Sequence, residues 1–154
     1  MPRIQQKIRI IIVDTNERWR KDALEYLEDA DIESTGYPDL ITAMKALNNT
    51  NGKSSLVFVD LHLARQSPAL FKILSNRTIN PHLFAVVMFP TQLTVADMIY
   101  MFNLGAYDSY DKPYGRVSTS EMVTKFINEV LNLHQVQPQP ASMRLAFNLT
   151  PAMA

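Results

Sequence analysis

The stretch that decides the fold is Ile8-Arg9-Ile10-Ile11-Ile12-Val13-Asp14, an almost unbroken β-branched run that ends at an acid. Such a run is typical of a strand that is buried on both faces of a parallel sheet, where polar and apolar residues no longer alternate. Two further runs, Ser55-Leu56-Val57-Phe58-Val59 and 83–89, have the same character, and the first of them is followed by another acid, Asp60. These runs predict the central strands of one buried sheet.

The segments between these runs have the apolar spacing of amphipathic helices. Between 17 and 30, for example, Trp19, Ala23 and Leu27 recur at helical intervals. The pattern predicts strands at 8–13, 32–37, 55–59, 83–89 and 106–111 and helices at 17–30, 40–47, 68–76, 93–104 and 118–133. Strands that alternate with helices in this way indicate an α/β fold, a five-stranded parallel sheet with helices on both faces in a (βα)5 arrangement.

Composition and charge exclude several classes of function. The 154 residues carry fifteen basic and fifteen acidic side chains, so the net charge is zero and the basic surface typical of nucleic-acid binding is absent. The absence of Cys excludes disulfides, thiol nucleophiles and cysteine-based metal sites. No apolar run approaches the roughly 20 residues of a membrane span. We therefore expect a cytoplasmic protein with no membrane partner.

The end of the chain differs in composition from the rest. Residues 1–134 are predicted to form the α/β domain, and residues 135–154 a Pro/Gln-rich linker or tail. The stretch Gln135-Val-Gln-Pro-Gln-Pro-Ala-Ser142 favours extended, poorly packed chain. Because linkers of this kind usually join domains, a further domain is expected to follow in a longer protein. Any contact with nucleic acid would be made by that missing domain.

Three polar residues follow strands whose ends a parallel sheet brings to one edge. Asp14 follows the first strand, Asp60 the third and Lys112 the fifth. Carboxylates that share a partly buried cleft repel each other and favour a bound cation. Mg²⁺ suits such a site because it binds through one or two carboxylates and keeps several waters. Lys112 offers a mobile positive charge for an anionic group on either aspartate.

Four short motifs stand in order along this pattern: Ile10-Ile11-Ile12-Val13-Asp14, Val57-Phe58-Val59-Asp60, Gly105-Ala106 and Lys112-Pro113. Together they resemble the receiver domain of bacterial response regulators, which belong to two-component phosphorelays. The resemblance covers about residues 7–134, and the separation of Asp60 from Lys112 is the one usual in that family. It implies the flavodoxin-like receiver topology and a signalling role without enzyme activity of its own.

The resemblance also implies a role for each polar residue at the strand ends. Asp60 is the phosphoacceptor, which takes a phosphoryl group from a phosphohistidine on a sensor histidine kinase or a phosphotransfer protein. Asp14, Asp60 and the backbone carbonyl of His62 hold Mg²⁺, and Lys112 contacts the phosphoryl oxygens. Phosphorylation then controls dimerisation or an output domain.

The sequence departs from the family within the same site, which marks it as an atypical or degenerate receiver. Thr15 replaces the second of two adjacent acids and so weakens the magnesium site. Pro90 replaces a Thr or Ser hydroxyl, for which Thr91 is the candidate substitute, and Ser109 stands at the aromatic switch position. A modification without a state-specific contact shifts no equilibrium. The alternative is therefore a pseudo-receiver that acts as a phosphorylation-independent dimerisation or docking module.

Plainer interpretations stay open beside these. An Asp at the end of a strand is often only a turn residue or a helix cap, and Trp19 is expected to line the core or a groove. A flavodoxin-like small-molecule binder would need a Gly-rich phosphate loop after the first strand. The segment 14–18 supplies no such loop.

The fourth predicted helix, 93–104, is more apolar than one buried face requires. In the receiver family, the face made by the fourth helix, fifth strand and fifth helix is the usual dimer and output surface. We therefore expect a homodimer through this face, which is rich in aromatic residues of the kind that interfaces favour. These residues are Tyr100, Phe102, Tyr107, Tyr110 and Tyr114.

Overall fold

The structure, a computed structural model, describes residues 8–47, 54–89, 94–112 and 116–135. In these ranges strands and helices alternate along the chain, except that two helices lie between the third and fourth strands. The elements are β1 (Ile8–Val13), α1 (Glu17–Asp29), β2 (Ser34–Tyr37), α2 (Leu40–Leu47), β3 (Ser54–Asp60), α3 (Leu61–Gln66), α4 (Pro68–Ser75), β4 (Leu83–Phe89), α5 (Val95–Asn103), β5 (Asp108–Asp111) and α6 (Arg116–Gln135).

The five strands form one parallel sheet in the order β2-β1-β3-β4-β5. The strand order reverses between β1 and β3, which are neighbours in the sheet although β2 lies between them in sequence. Val13 at the end of β1 is paired with Val59 of β3. The residues that follow these two positions, Asp14 and Asp60, therefore lie side by side where parallel α/β sheets bind their ligands.

Each face of the sheet carries its own apolar core. Ile8, Ile10 and Ile12 pack with residues of α1 and α6, whereas Ile11 and Val13 pack with residues of α2, α3, α4 and α5. Because successive side chains of a strand point to opposite faces, one β-branched run contributes to both cores. The predicted α/β class, with a five-stranded parallel sheet and helices on both faces, is confirmed.

The connection between β3 and β4 differs from the prediction. The sequence predicted one helix, 68–76, whereas the structure has α3 at Leu61–Gln66 before α4 at Pro68–Ser75. Asp60 caps α3 directly at the end of β3, and Leu63 and Ala64 are buried beneath it. The strand and the helix thus meet without an intervening turn residue that could have marked the boundary.

Several sequence predictions fall on residues outside the described ranges. These are the candidate hydroxyl of Thr91, Pro90 beside it, Tyr114 of the expected dimer face, and the predicted linker from 136 to 154. They stay predictions, as does the division at 134. Within the described ranges, no helix combines the length and apolar character needed to cross a membrane.

Gly105, which follows the C-terminal end of α5, allows Ser75 of α4 to approach closely. Its φ of 101° lies in the left-handed region, and an added Cβ would stand 2.9 Å from Oγ of Ser75. That hydroxyl donates a hydrogen bond to the carbonyl oxygen of Leu104 at 2.6 Å. We expect Gly105→Ala to lower the free energy of unfolding by about 1–2 kcal/mol, measured by urea denaturation.

The Ser75→Ala background separates the two causes of this cost. Removing Oγ relieves the close approach and leaves only the backbone strain, so Gly105→Ala is expected to cost less there. A cost that is unchanged in this background would mean that the contact with Ser75 contributes nothing.

Candidate functional site

Asp60 is both the last residue of β3 and the N-cap of α3. Its Oδ2 accepts a hydrogen bond from the backbone N–H of His62 at 3.2 Å, and only 7% of the residue is exposed. The interpretation of Asp60 as a helix cap is therefore correct as far as Oδ2 is concerned. This contact engages Oδ2, so we expect a ligand to approach Oδ1.

Asp14 is held more rigidly than Asp60. It is 1% exposed, its Oδ1 accepts the N–H of Asn16 at 2.9 Å, and its backbone carbonyl accepts a hydrogen bond from Nη1 of Arg20 at 2.6 Å. The stem of Arg20 passes close to Gly36 of β2, where a Cβ would lie 2.9 Å from Cγ and Cδ of Arg20. The glycine thus leaves room for the arginine that fixes the end of β1.

Lys112 reaches Asp14 although β4 and β3 lie between their two strands. Its backbone N–H donates to the carbonyl of Phe89 at the end of β4, but its Nζ lies 2.6 Å from Oδ2 of Asp14, after β1. The ends of β5 and β1 are separated by β4 and β3, roughly 14 Å at the usual strand spacing. The two side chains therefore meet between these strand ends, close enough to Asp60 to act on it electrostatically.

The ammonium of Lys112 also lies over an aromatic ring. Its Nζ is 4.8 Å from the ring centroid of Trp19 in α1. The side chains of Lys112 and Asp14 are only 7% and 2% exposed, so this ion pair is largely removed from water. A buried lysine is costly unless its charge is compensated, and here a carboxylate and a ring face compensate it together.

The three predicted residues influence one another electrostatically. Burial is the main cause that raises the pKa of the Asp60 carboxyl, and the neighbouring Asp14 raises it further. Lys112 and the backbone N–H of His62 lower the same pKa, without offsetting the rise. The structure thus brings Asp14, Asp60 and Lys112 together at the edge where the sequence predicted them to meet.

The raised pKa of Asp60 gives a test by stability. A carboxyl whose pKa is higher in the folded state favours folding while it is protonated, and that advantage is lost as pH rises through the folded-state pKa. Asp60→Asn keeps a capping oxygen but carries no charge. We expect the variant to melt about 3 °C above the wild type at pH 7, and the difference to shrink as the pH falls through the folded-state pKa, until it is lost below the unfolded pKa of about 4.

A thermal melt followed by circular dichroism at pH 3.5, 5 and 7 makes this comparison. A variant that is less stable than the wild type at pH 7 would contradict the account of Asp60 as a buried charge.

The oxygen atoms at this edge fit a divalent cation. Oδ2 of Asp14 is buried and accepts no well-formed hydrogen bond within the described residues, although the ammonium is close. Two carboxylates and one ammonium leave one net negative charge when Asp60 is ionised, and carboxylate oxygens are ligands that Mg²⁺ prefers. The described ranges contain no group of three acidic or histidine side chains around a common point. Water or a phosphoryl group would therefore complete the coordination.

The remaining predicted site residues have different surroundings. His62 lies in the first turn of α3 rather than in a loop, and its imidazole is exposed beside Gln66. Thr15 is exposed, and Ser109 is half-buried on β5. Ser109 and the stem of Lys112 contribute to the wall of a cavity of about 670 Å³ between β5 and the start of α6. The metal-ligand role of the His62 carbonyl stays a prediction.

Sequence reasoning missed two residues that support the site. Trp19 was expected to line the core or a groove, and it does pack in the core, but its contact with the ammonium of Lys112 was not foreseen. Arg20 was not singled out, although it binds the carbonyl of Asp14. The spacing Asp14-x₄-Trp19-Arg20 offers a signal in retrospect, because the first turn of a helix that follows a strand returns over the end of that strand.

Comparison with solved structures places this architecture among known folds, with 208 chains that match. A response regulator from Thermotoga maritima is 21% identical with a TM-score of 0.64, over 78% of this chain and 97% of that one. A two-component response regulator from Clostridium difficile is 19% identical with a TM-score of 0.64, over 81% and 98%. A chemotaxis response regulator from Vibrio cholerae is 13% identical with a TM-score of 0.65, over 77% and 97%.

Comparison by sequence finds no relative, in contrast to comparison by structure. No protein-family model matches the sequence, and no curated relative matches it. These three structures and a receiver domain from Methanospirillum hungatei match over 94–98% of their own length. The chain therefore has the CheY-like, flavodoxin-like fold of response regulator receiver domains.

Proposed function

We propose that this chain is the receiver domain of a two-component phosphorelay and accepts a phosphoryl group on Asp60. One observation carries the proposal: the ammonium of Lys112 crosses the sheet edge to Asp14, and both groups act electrostatically on Asp60. Together with a bound divalent cation, such a cluster would offset the charge of an anion that arrives at the end of β3. The donor is a phosphohistidine on a sensor histidine kinase or a phosphotransfer protein.

The transfer requires Asp60 to act as a nucleophile. Oδ1 attacks phosphorus while Oδ2 stays bound to the N–H of His62. A P–O bond forms to Asp60, the P–N bond to the donor imidazole breaks, and the imidazole leaves with the electron pair of that bond. The product is an acyl phosphate whose added charge lies beside Lys112. The chain contributes an acceptor and not a turnover site, which is why we propose no enzyme activity of its own.

Magnesium is proposed as the cofactor of this transfer. Bound Mg²⁺ neutralises charge on the phosphoryl oxygens. The carboxylates of Asp14 and Asp60 would hold it, with the carbonyl of His62 as the proposed further ligand. Thr15 brings no charge to the site, so we propose weaker magnesium binding than a site with three carboxylates would have.

The proposed output surface is the exposed face of α5. We expect this face, together with β5 and α6, to form the interface of a homodimer. Met101 is buried, but four apolar or aromatic side chains of α5 are exposed: Val95 (71%), Met98 (38%), Ile99 (57%) and Tyr100 (37%). Tyr107, expected at this surface, is buried at 7% and does not contribute. Side chains of this kind at a surface favour a protein partner.

A path from Asp60 to this surface runs through α3. Asp60 caps α3, and Arg65 of α3 forms an ion pair with Asp97 of α5. The guanidinium carbon also lies over the ring of Tyr100, 5.8 Å from its centroid. A phosphoryl group on Asp60 adds charge beside the N-terminus of α3 without removing its capping hydrogen bond, and a resulting shift of α3 is passed to α5 through Arg65. This contact offers a coupling that does not depend on a hydroxyl at position 90.

The first experiment uses a small donor. Wild-type protein is incubated with acetyl phosphate and MgCl₂ and followed by intact-mass spectrometry. The proposal expects one added phosphoryl group that hydroxylamine removes, since an acyl phosphate reacts with this nucleophile. The absence of any mass increase over a range of donor concentrations would contradict it.

The alternative is a pseudo-receiver that docks or dimerises without phosphate. Two observations favour it: Lys112 already forms an ion pair with Asp14, and Asp60 already caps a helix. Several polar groups of the site therefore have partners within the chain. Sedimentation with and without acetyl phosphate distinguishes the two hypotheses. A dimer whose dissociation constant is the same in both conditions supports the pseudo-receiver.

A further inference from the structure

We propose that Trp19 is a positioning residue, whose ring holds the ammonium of Lys112 on Asp14 and thereby sets how readily a divalent cation enters the site. The importance of Trp19 for signalling rests on the proposed function, but its effect on Mg²⁺ binding is tested without a phosphoryl donor. The inference starts from the juxtaposition of one carboxylate, one ammonium and one indole at a buried sheet edge.

Two contacts hold the ammonium of Lys112, one with a carboxylate and one with an aromatic ring. Nζ lies 2.6 Å from Oδ2 of Asp14 and 4.8 Å from the ring centroid of Trp19. Cation–π attraction is strongest for tryptophan and increases when the pair is removed from water. The lysine side chain is 7% exposed, so the ring is a substantial part of what keeps the ammonium away from Asp60.

Trp19 is itself fixed well enough to act as a template. Its backbone N–H donates to Oδ1 of Asn16 at 3.0 Å in the cap of α1, and the residue is 9% exposed within the core between α1, α6 and the sheet. Asn16 in turn donates its N–H to Asp14. The ring and the carboxylate that share Lys112 are thus joined through one capping residue.

Lys112 and a divalent cation compete for the same oxygen. Oδ2 of Asp14 faces the ammonium, and a cation bound between Asp14 and Asp60 would repel that ammonium. Lys112 also lines a cavity of about 670 Å³, which is where we expect a displaced ammonium to go. Anything that weakens the hold of Trp19 on Lys112 therefore strengthens cation binding.

Calorimetric titration with MgCl₂, without any phosphoryl donor, tests whether cation binding becomes tighter as the hold on Lys112 is weakened. We expect Trp19→Leu to bind Mg²⁺ about three- to tenfold more tightly than the wild type, Trp19→Phe to lie between them, and Lys112→Met to bind about tenfold more tightly or better. Lys125→Met is the matched control. Its ammonium lies 5.1 Å from the ring centroid of Tyr110, outside the site, so its Mg²⁺ affinity should equal that of the wild type.

Emission from the sole tryptophan gives a readout that leaves Trp19 in place. Mg²⁺ is expected to change the emission of the wild type as the ammonium leaves the ring. In Lys112→Met the same cation binds with no such change, because no ammonium was there. This comparison still tests the proposal if Trp19→Leu fails to fold.

Three results would overturn the proposal: equal Mg²⁺ affinity of Trp19→Leu and the wild type, an equal emission change in Lys112→Met, or no Mg²⁺ binding by any of these proteins. The outcome is independent of phosphoryl acceptance. If acetyl phosphate fails to modify Asp60 while the order of affinities holds, the proposed function fails and the role of Trp19 stands.

Discussion

Replacing Asp60 by asparagine is expected to abolish phosphoryl acceptance, with labelling by acetyl phosphate below about 1% of the wild-type level. The amide is neutral and cannot attack phosphorus to form a stable acyl phosphate. Its oxygen can still accept the N–H of His62, so α3 keeps its cap. The loss should therefore occur in a protein that is folded and more stable than the wild type at neutral pH.

The matched control is Asp111→Asn. Asp111 is exposed at the end of β5, next to Lys112 in sequence. Its substitution by asparagine also removes one negative charge at this edge of the sheet. It should be labelled to the wild-type extent. Equal labelling of Asp60→Asn and the wild type would locate the modification elsewhere and contradict the assignment of Asp60.

Replacing Asp14 by alanine is expected to cost the most stability of any change in the site, about 3 kcal/mol in the free energy of unfolding. The substitution leaves the ammonium of Lys112 buried without its carboxylate and removes the acceptor of the Asn16 N–H. The cost lies at the lower end for a broken buried pair, because Asp60 is close enough to attract the released ammonium. Guanidinium denaturation measures it.

A double-mutant cycle isolates the ion pair from the other contacts of Asp14. Lys112→Met keeps an apolar stem against Trp19 but removes the charge, so Asp14→Ala should cost less in that background. We expect a coupling energy of about 1–3 kcal/mol between the two positions. Costs that simply add, within about 0.5 kcal/mol, would mean that the pair contributes no net stability.

The central sheet and the convergence of the site could be predicted from sequence because both depend on strong, local patterns. The β-branched run that ends at Asp14 and the apolar run that ends at Asp60 fix two neighbouring parallel strands, and parallel strands present their ends at one edge. The position of Lys112 after β5 then follows from the order of the elements.

Other features could not be read from the sequence because they depend on packing in three dimensions. No periodicity marks the boundary between β3 and α3, since Asp60 ends one and caps the other. The ammonium of Lys112 lies on Asp14 and over the ring of Trp19 because of how β5, β1 and α1 pack, and the pairing of Arg65 with Asp97 depends on how α3 and α5 lie together. Tyr107 was expected at a surface, but it packs edge-to-face on Phe84 at a centroid distance of 5.2 Å.

Locating the acyl phosphate in the chain tests the central claim most directly. Protein treated with acetyl phosphate and MgCl₂ is reduced with borohydride, which converts a phosphorylated aspartate into homoserine, and its peptides are sequenced by mass spectrometry. The account expects homoserine at position 60 and at no other acidic residue. Homoserine at a different position, or at none, would contradict it.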